Sequence, residues 1–406
     1  MLFPFHYTNE SAHYEPVGQY INLSGYKREE FLLMIKSGIN QNNFTSFSHY
    51  LHELRHWADH IGTIWGQDYI CEIIRCCWAK LANSEFEPSE ISPYKIEEIL
   101  KTNDLLIHHQ HSIVSKNSEV WKMKFGVSFI NQIPFFICNV LDYIGNPVCD
   151  YPVTYVSLFE SNARYEEIQC NLDISELYLS SDEKKVEVQR IHRKYAELAY
   201  DSELIEYSIA AAIPAAIFKI ENSIKAYAIS STINTLILNL TPDMLTSLAC
   251  VDNLGEFDIN HSILIRNRDF GYLLYYFCKL YEPLYSVNRE FNLEEFLVCF
   301  NLPKMEEFEL SVLEHMESNK SLLSKENIFY ENLNRNITNG QEIIRLRGID
   351  SKRISLANFL SDSPIRPHLI FGDEVWEQST LNDILNKPLE TLSQYEWWTL
   401  TEYFNK

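Results

Sequence analysis

The sequence predicts a mostly α protein with a small β part, and three observations carry that prediction. Glycine is scarce, at 12 of 406 residues, and stretches of strict alternation are few, which disfavours a barrel or a sandwich. Apolar residues recur at helical spacing in several long segments. Hydrophobic residues make up 46% of the chain and aromatic ones 13%, with 24 Tyr and 23 Phe, enough to fill a sizeable core.

In chain order, a short strand is expected around Val17–Leu23 and a helix over Lys27–Lys36, followed by a polar break at Asn40–Asn43. A strong helix spans Ser46–Gly62, with Gly62 placed to end it. A second helix, Gln67–Asn83, follows a break at Thr63–Gly66. Pro88 and Pro93 punctuate a loop, and Tyr94–Ile107 reads as helix. Pro147 and Pro152 bracket another break. Helices are then expected over Val156–Leu177 and, long and charged, over Asp182–Tyr207. Ser208–Leu240, rich in Ala, Ile and Ser, reads as an internal helix pair. The polar stretch Pro242–Asp258 marks the expected domain boundary, leaving 1–240 as one domain and 241–406 as a helical accessory or interaction region. That region carries an acidic run over Glu290–Glu317 and an aromatic end with Trp397 and Trp398.

The formal charge of −22 repels phosphate backbones, so nucleic-acid binding is not expected. The densest basic cluster, Lys184, Lys185, Arg190, Arg193 and Lys194, reads as a solvated helix face. Nine cysteines without a CxxC pair fit a reduced compartment and not a disulfide framework. The first residues lack a basic segment followed by an apolar run, and the most apolar stretch, Ile209–Ile217, is too short to cross a bilayer. A cytoplasmic protein without membrane partners is expected.

The chemistry concentrates in the Ser46–Gly62 helix, where His52, Glu53 and His56 spell HExxH. Two histidines four residues apart project from one helix face, so both imidazoles can meet one tetrahedral zinc ion. Glu53 lies about 100° around the helix from His52, within reach of a water on that metal. The pattern arises by chance in roughly a few per cent of chains this size, so its setting matters. Phe47, Tyr50, Leu51, Leu54, Trp57, Ala58 and Ile61 occupy one arc of about 120°. His49, His52, Glu53, His56, Asp59 and His60 occupy the opposite arc. A solvated face ordinarily carries Lys, Glu, Gln and Arg, whereas four histidines and two carboxylates suit a metal-lined cleft.

Here the sequence resembles the zincin metallopeptidases. The resemblance implies that His52 and His56 bind zinc and that Glu53 is the general base. Arg55 departs from the family, which usually has an uncharged residue there; a salt bridge would accommodate it. Asp59 and Gly62 stand where a metzincin has glycine and histidine, which excludes that subclass. The gluzincin pattern takes its third ligand from a glutamate on a later helix, often as ExxA, and Glu160 with Ala163 matches it. Ser157, Glu160, Arg164, Glu167 and Asn171 share one polar stripe at helical spacing. Asp59, His60 and His192 are the other candidates for third ligand, and the separation of Glu160 from His56 calls for a helical insertion. Asp59 and His60 are also candidates for a supporting role around the metal, as are Arg164, Tyr165 and His192 for stabilising an oxyanion. The cluster His108, His109 and His111 is a rival metal site.

The expected function is zinc-dependent hydrolysis of a peptide bond in a peptide or protein substrate, with a zincin-like helical core. Two alternatives stand beside it. One is a catalytically inactive zincin-like binding or sensory module that contacts a protein partner through its C-terminal region. The other is a helical scaffold whose HExxH is accidental.

Overall fold

The computed structural model describes residues 12–15, 19–37, 44–81, 121–130, 133–142, 144–201, 204–250, 257, 260–322, 330–350 and 367–371. Its first part comprises β1 (His13–Glu15), β2 (Tyr20–Leu23), α1 (Arg28–Ser37), α2 (Phe44–Ile61) and α3 (Ile64–Leu81). A three-strand stretch follows: β3 (Lys122–Ile130), β4 (Ile133–Leu141) and β5 (Pro147–Pro152). Next come α4 (Tyr155–Tyr178), α5 (Ser181–Ala199), α6 (Ile205–Phe218), α7 (Ser223–Leu238), α8 (Pro242–Ala249) and α9 (His261–Arg266). The last elements are α10 (Phe270–Asn288), α11 (Leu293–Cys299), α12 (Met305–Asn319), α13 (Tyr330–Arg347) and β6 (His368–Phe371). The protein is therefore mostly α, with two three-stranded sheets among the described residues. No described helix is long and apolar enough to cross a membrane.

Contacts divide the chain into two units, Met1–Glu97 together with Leu313–Lys406, and Glu98–Val312. This division differs from the expected 1–240 and 241–406. The reason is long-range pairing: β6 joins β2 in parallel, with Tyr20 opposite His368 and Leu23 opposite Phe371. The C-terminal residues thereby complete a sheet begun near the N-terminus, in the order β1-β2-β6.

In the first unit, Phe31 of α1 meets Tyr50 of α2 edge-on at 5.1 Å and Phe371 of β6 at 5.5 Å. The expected break at Thr63–Gly66 is shorter than its spacing suggests. Thr63 Oγ1 accepts a hydrogen bond from the Gly66 amide at 3.1 Å, so α3 starts at Ile64 behind an ordinary N-cap. Gln67, fully buried, donates through Nε2 to the Ile61 carbonyl at 2.5 Å and the Asn336 carbonyl at 3.0 Å. One side chain thus ties the end of α2 to α13 and satisfies the Ile61 carbonyl, one of those a helix end leaves open. Gly340 is required at this crossing, since a Cβ there would overlap the Ile61 carbonyl.

The second unit contains a meander that residue patterning does not reveal. Strands β3, β4 and β5 pair antiparallel in that order, across the place where Pro147 and Pro152 are expected to bracket a break. Both prolines stand at strand ends, where a missing N–H is tolerated. On β4, Phe136, Cys138 and Val140 alternate inward, almost wholly buried. The separation between His56 and Glu160 is therefore filled in part by β-structure. The long helix expected over Asp182–Tyr207 stops at Ala199, and α6 begins at Ile205. Pro242 opens α8, with Thr241 Oγ1 accepting from the Met244 amide at 3.2 Å, so the expected boundary stretch begins with a capped helix. Helix α4 packs against α5, α6 and α7. Its contact with α7 includes polar pairs: Ser161 and Ser230 hydroxyls lie 3.2 Å apart, and Asn234 Nδ2 donates to Asn162 Oδ1 at 3.3 Å.

Candidate metal centre

Both arcs of α2 are buried. On the apolar side Phe47, Tyr50, Leu51, Leu54, Trp57, Ala58 and Ile61 fill the core of the first unit. On the polar side only His49 is exposed. His52 is 7% exposed, Glu53 7% and His56 4%, and Asp59 and His60 are equally hidden. Burying that many ionisable groups on one helix face is costly unless something satisfies them. The face is not a solvated one.

The spacing of His52 and His56 puts their rings 4.7 Å apart between centroids and nearly perpendicular, at 85°. Two imidazoles held one turn apart can each offer a nitrogen to one small cation. Glu160, on the second turn of α4, is 2% exposed, and Ala163 beside it is fully buried. His52 and His56 in the first unit, and Glu160 in the second, are each buried side chains of a kind that ligates metal. Two imidazoles and one carboxylate, all buried, are a donor set that fits zinc with a coordination position to spare.

The other predicted residues have different surroundings. Arg55 Nε donates to Asp59 Oδ1 at 2.8 Å, with both side chains buried, so the salt bridge that Arg55 called for is present and Asp59 supplies it. His60 sits among aromatic rings: it stacks on Trp65 at 6.0 Å, and Tyr69 and Tyr14 lie at 5.2 and 5.9 Å. Burial, with a smaller contribution from His56, lowers its pKa to about 3, so it is a neutral imidazole in an aromatic pocket. Arg164 donates to Glu167 Oε2 at 2.9 Å and covers the Tyr207 ring at 4.8 Å. Tyr165 packs against the apolar cluster of Ile168, Ile191, Tyr195, Ala211 and Tyr227. His192 is partly exposed on α5. The cluster His108, His109 and His111 lies outside the described residues.

The basic cluster on α5 is a solvated face, as expected. Lys185 pairs with Asp182, Arg190 with Glu187, Arg193 with Glu197, and Lys184 with Glu176. The polar stripe of α4, by contrast, is largely buried. Asn171 Nδ2 donates to the Glu167 carbonyl at 2.7 Å and to Tyr195 Oη at 3.0 Å. Tyr195, in turn, donates to Glu167 Oε2 at 3.4 Å. Tyr195 is not among the residues that spacing singles out; its place at an inward position of the charged α5 is the only local sign of it. Comparison of the chain with family profiles, curated proteins and solved structures finds no significant match.

Proposed function

We propose that this chain is a zinc-dependent hydrolase of the gluzincin kind, cleaving a peptide bond, with His52, His56 and Glu160 as ligands and Glu53 as general base. The observation that carries the reading is the pair of buried imidazoles one turn apart on α2, His52 and His56, with ring centroids 4.7 Å apart. Bound zinc would supply Lewis acidity and lower the pKa of a water molecule. Glu53, next to a ligand in sequence but turned about 100° from it, takes the proton of the attacking water and passes it to the departing amine. Asp59 neutralises Arg55 within the same helix. The free cysteines among the described residues, Cys71, Cys138 and Cys149 for example, support a reducing, cytoplasmic setting.

A second reading, a zinc-binding module without catalysis, is favoured by the low exposure of Glu53 and its neighbours, because a peptide must reach them. Elemental analysis of untagged protein tests the metal, with about one zinc per chain expected. His52→Ala and His56→Ala should each lose it while keeping their helical circular dichroism. Unchanged zinc in both variants would overturn the assignment. Full zinc without cleavage of any member of a peptide library would favour the second reading.

A further inference from the structure

The second unit holds a buried arginine whose hydrogen-bonding capacity is only partly used. The Arg164 side chain is 13% exposed, and Nη1 is taken by Glu167 at 2.9 Å. Its guanidinium lies over the Tyr207 ring at 4.8 Å. Among the described residues, Nε finds no acceptor, although the atom is fully shielded from solvent. An unsatisfied buried donor on a charged group is among the costlier defects a fold can carry. Around it stand Tyr195, which donates to Glu167, and Tyr227, in the apolar cluster with Ile168 and Ile191. Burial raises the pKa of both phenols, so neither is an anion that would complete the pairing of Arg164. Tyr200 lies close enough to Tyr227 to act on it electrostatically. The ring of Trp121 meets Tyr200 edge-on at 5.7 Å, and Trp121 Nε1 is a second buried donor without an acceptor among the described residues.

We propose that the Arg164–Tyr207–Tyr227 cluster is a binding site for a small monocarboxylate with an apolar or aromatic body. A guanidinium recognises a carboxylate through paired N–H donors, which is the interaction Nε lacks. Glu167 already neutralises part of the charge, so a dianion such as phosphate would meet repulsion where a monoanion would not. The tyrosine rings and the neighbouring isoleucines offer the ligand's body an apolar wall. The site stands on the second unit alone and does not depend on zinc at His52 and His56.

Equilibrium dialysis and thermal unfolding of the full chain with benzoate, hexanoate and inorganic phosphate test this. The His52→Ala variant is run in parallel, so that a carboxylate held by zinc is not mistaken for one held by Arg164. Benzoate or hexanoate should bind at one per chain in both proteins and raise the melting temperature, and phosphate should not. Arg164→Lys keeps the charge beside Glu167 but removes Nε, and binding should weaken by roughly tenfold or more. Binding that vanishes in His52→Ala, equal binding in Arg164→Lys, or no binding of any probe, which means an ordered water only, would each overturn the site. Should Arg164→Lys fail to fold, the stoichiometry and anion preference of the other two proteins still decide.

Discussion

Arg55 donates to Asp59 at 2.8 Å within the same helix that presents His52 and His56, and both side chains of the pair are buried. One turn of helix separates them, so the pair forms without help from any distant segment. Breaking it takes a carboxylate from beside a buried cation. Asp59→Ala is expected to cost about 3–5 kcal/mol, whereas removing both charges as Arg55→Met with Asp59→Leu should cost far less. Urea unfolding followed by circular dichroism separates the two outcomes. Equal losses in the single and double variants would show that the pair is not the stabilising element.

Glu160 is the proposed ligand whose role is easiest to isolate. Glu160→Ala should lower zinc affinity by roughly 100-fold or more, since even supporting residues around a zinc cost 10–100-fold. Glu160→Asp, with a shorter reach, should fall between. Competition with a chromogenic chelator measures both. Wild-type affinity in the alanine variant would remove Glu160 from the donor set and bring Asp59, His60 and His192 back into contention.

Glu53→Gln tests chemistry and not metal binding. The variant should keep its zinc and its fold, and lose hydrolysis by roughly 100- to 10,000-fold, the usual worth of a positioned base. The measurement is kcat/KM on whichever peptide the wild type cleaves. A near-normal rate would place the base elsewhere.

Glu206, near the start of α6, titrates where stability can be followed. Burial raises its carboxyl from the usual range to about 7. Its folded pKa exceeds the unfolded one, so its contribution to stability is fully present below pH 4.5 and is lost as pH rises through 7. Glu206→Gln should therefore stabilise the protein at pH 8 by about 1–2 kcal/mol, the shift being discounted for the solvent the group still meets. At pH 4 it should change nothing. Stability curves of both proteins at the two pH values decide; a gain equal at both would point to packing and not to titration.

Much of α2 is legible in the residues alone. Helical periodicity is a local property, so spacing assigns Leu54 and Trp57 to one side and His52, Glu53 and His56 to the other. Glu160 is legible for the same reason, as one member of a polar stripe. The strands β3 to β5 are not. Their prolines resemble breaks, and their burial depends on partners many residues away. His60 reads as a polar residue beside a metal ligand, yet Trp65, Tyr69 and Tyr14 enclose it and hold it neutral.

The sequence by itself determined the mostly helical class, the HExxH residues on one helix face, and a glutamate on a later polar stripe. Each follows from residue type and the 3.6-residue turn. Only the tertiary structure decided what those faces meet. It buried the polar arc of α2, completed the N-terminal sheet with β6, made Arg55 the partner of Asp59, and enclosed Arg164 among tyrosines. Periodicity tells which side chains share a surface, but burial and pairing depend on what long-range packing places against that surface.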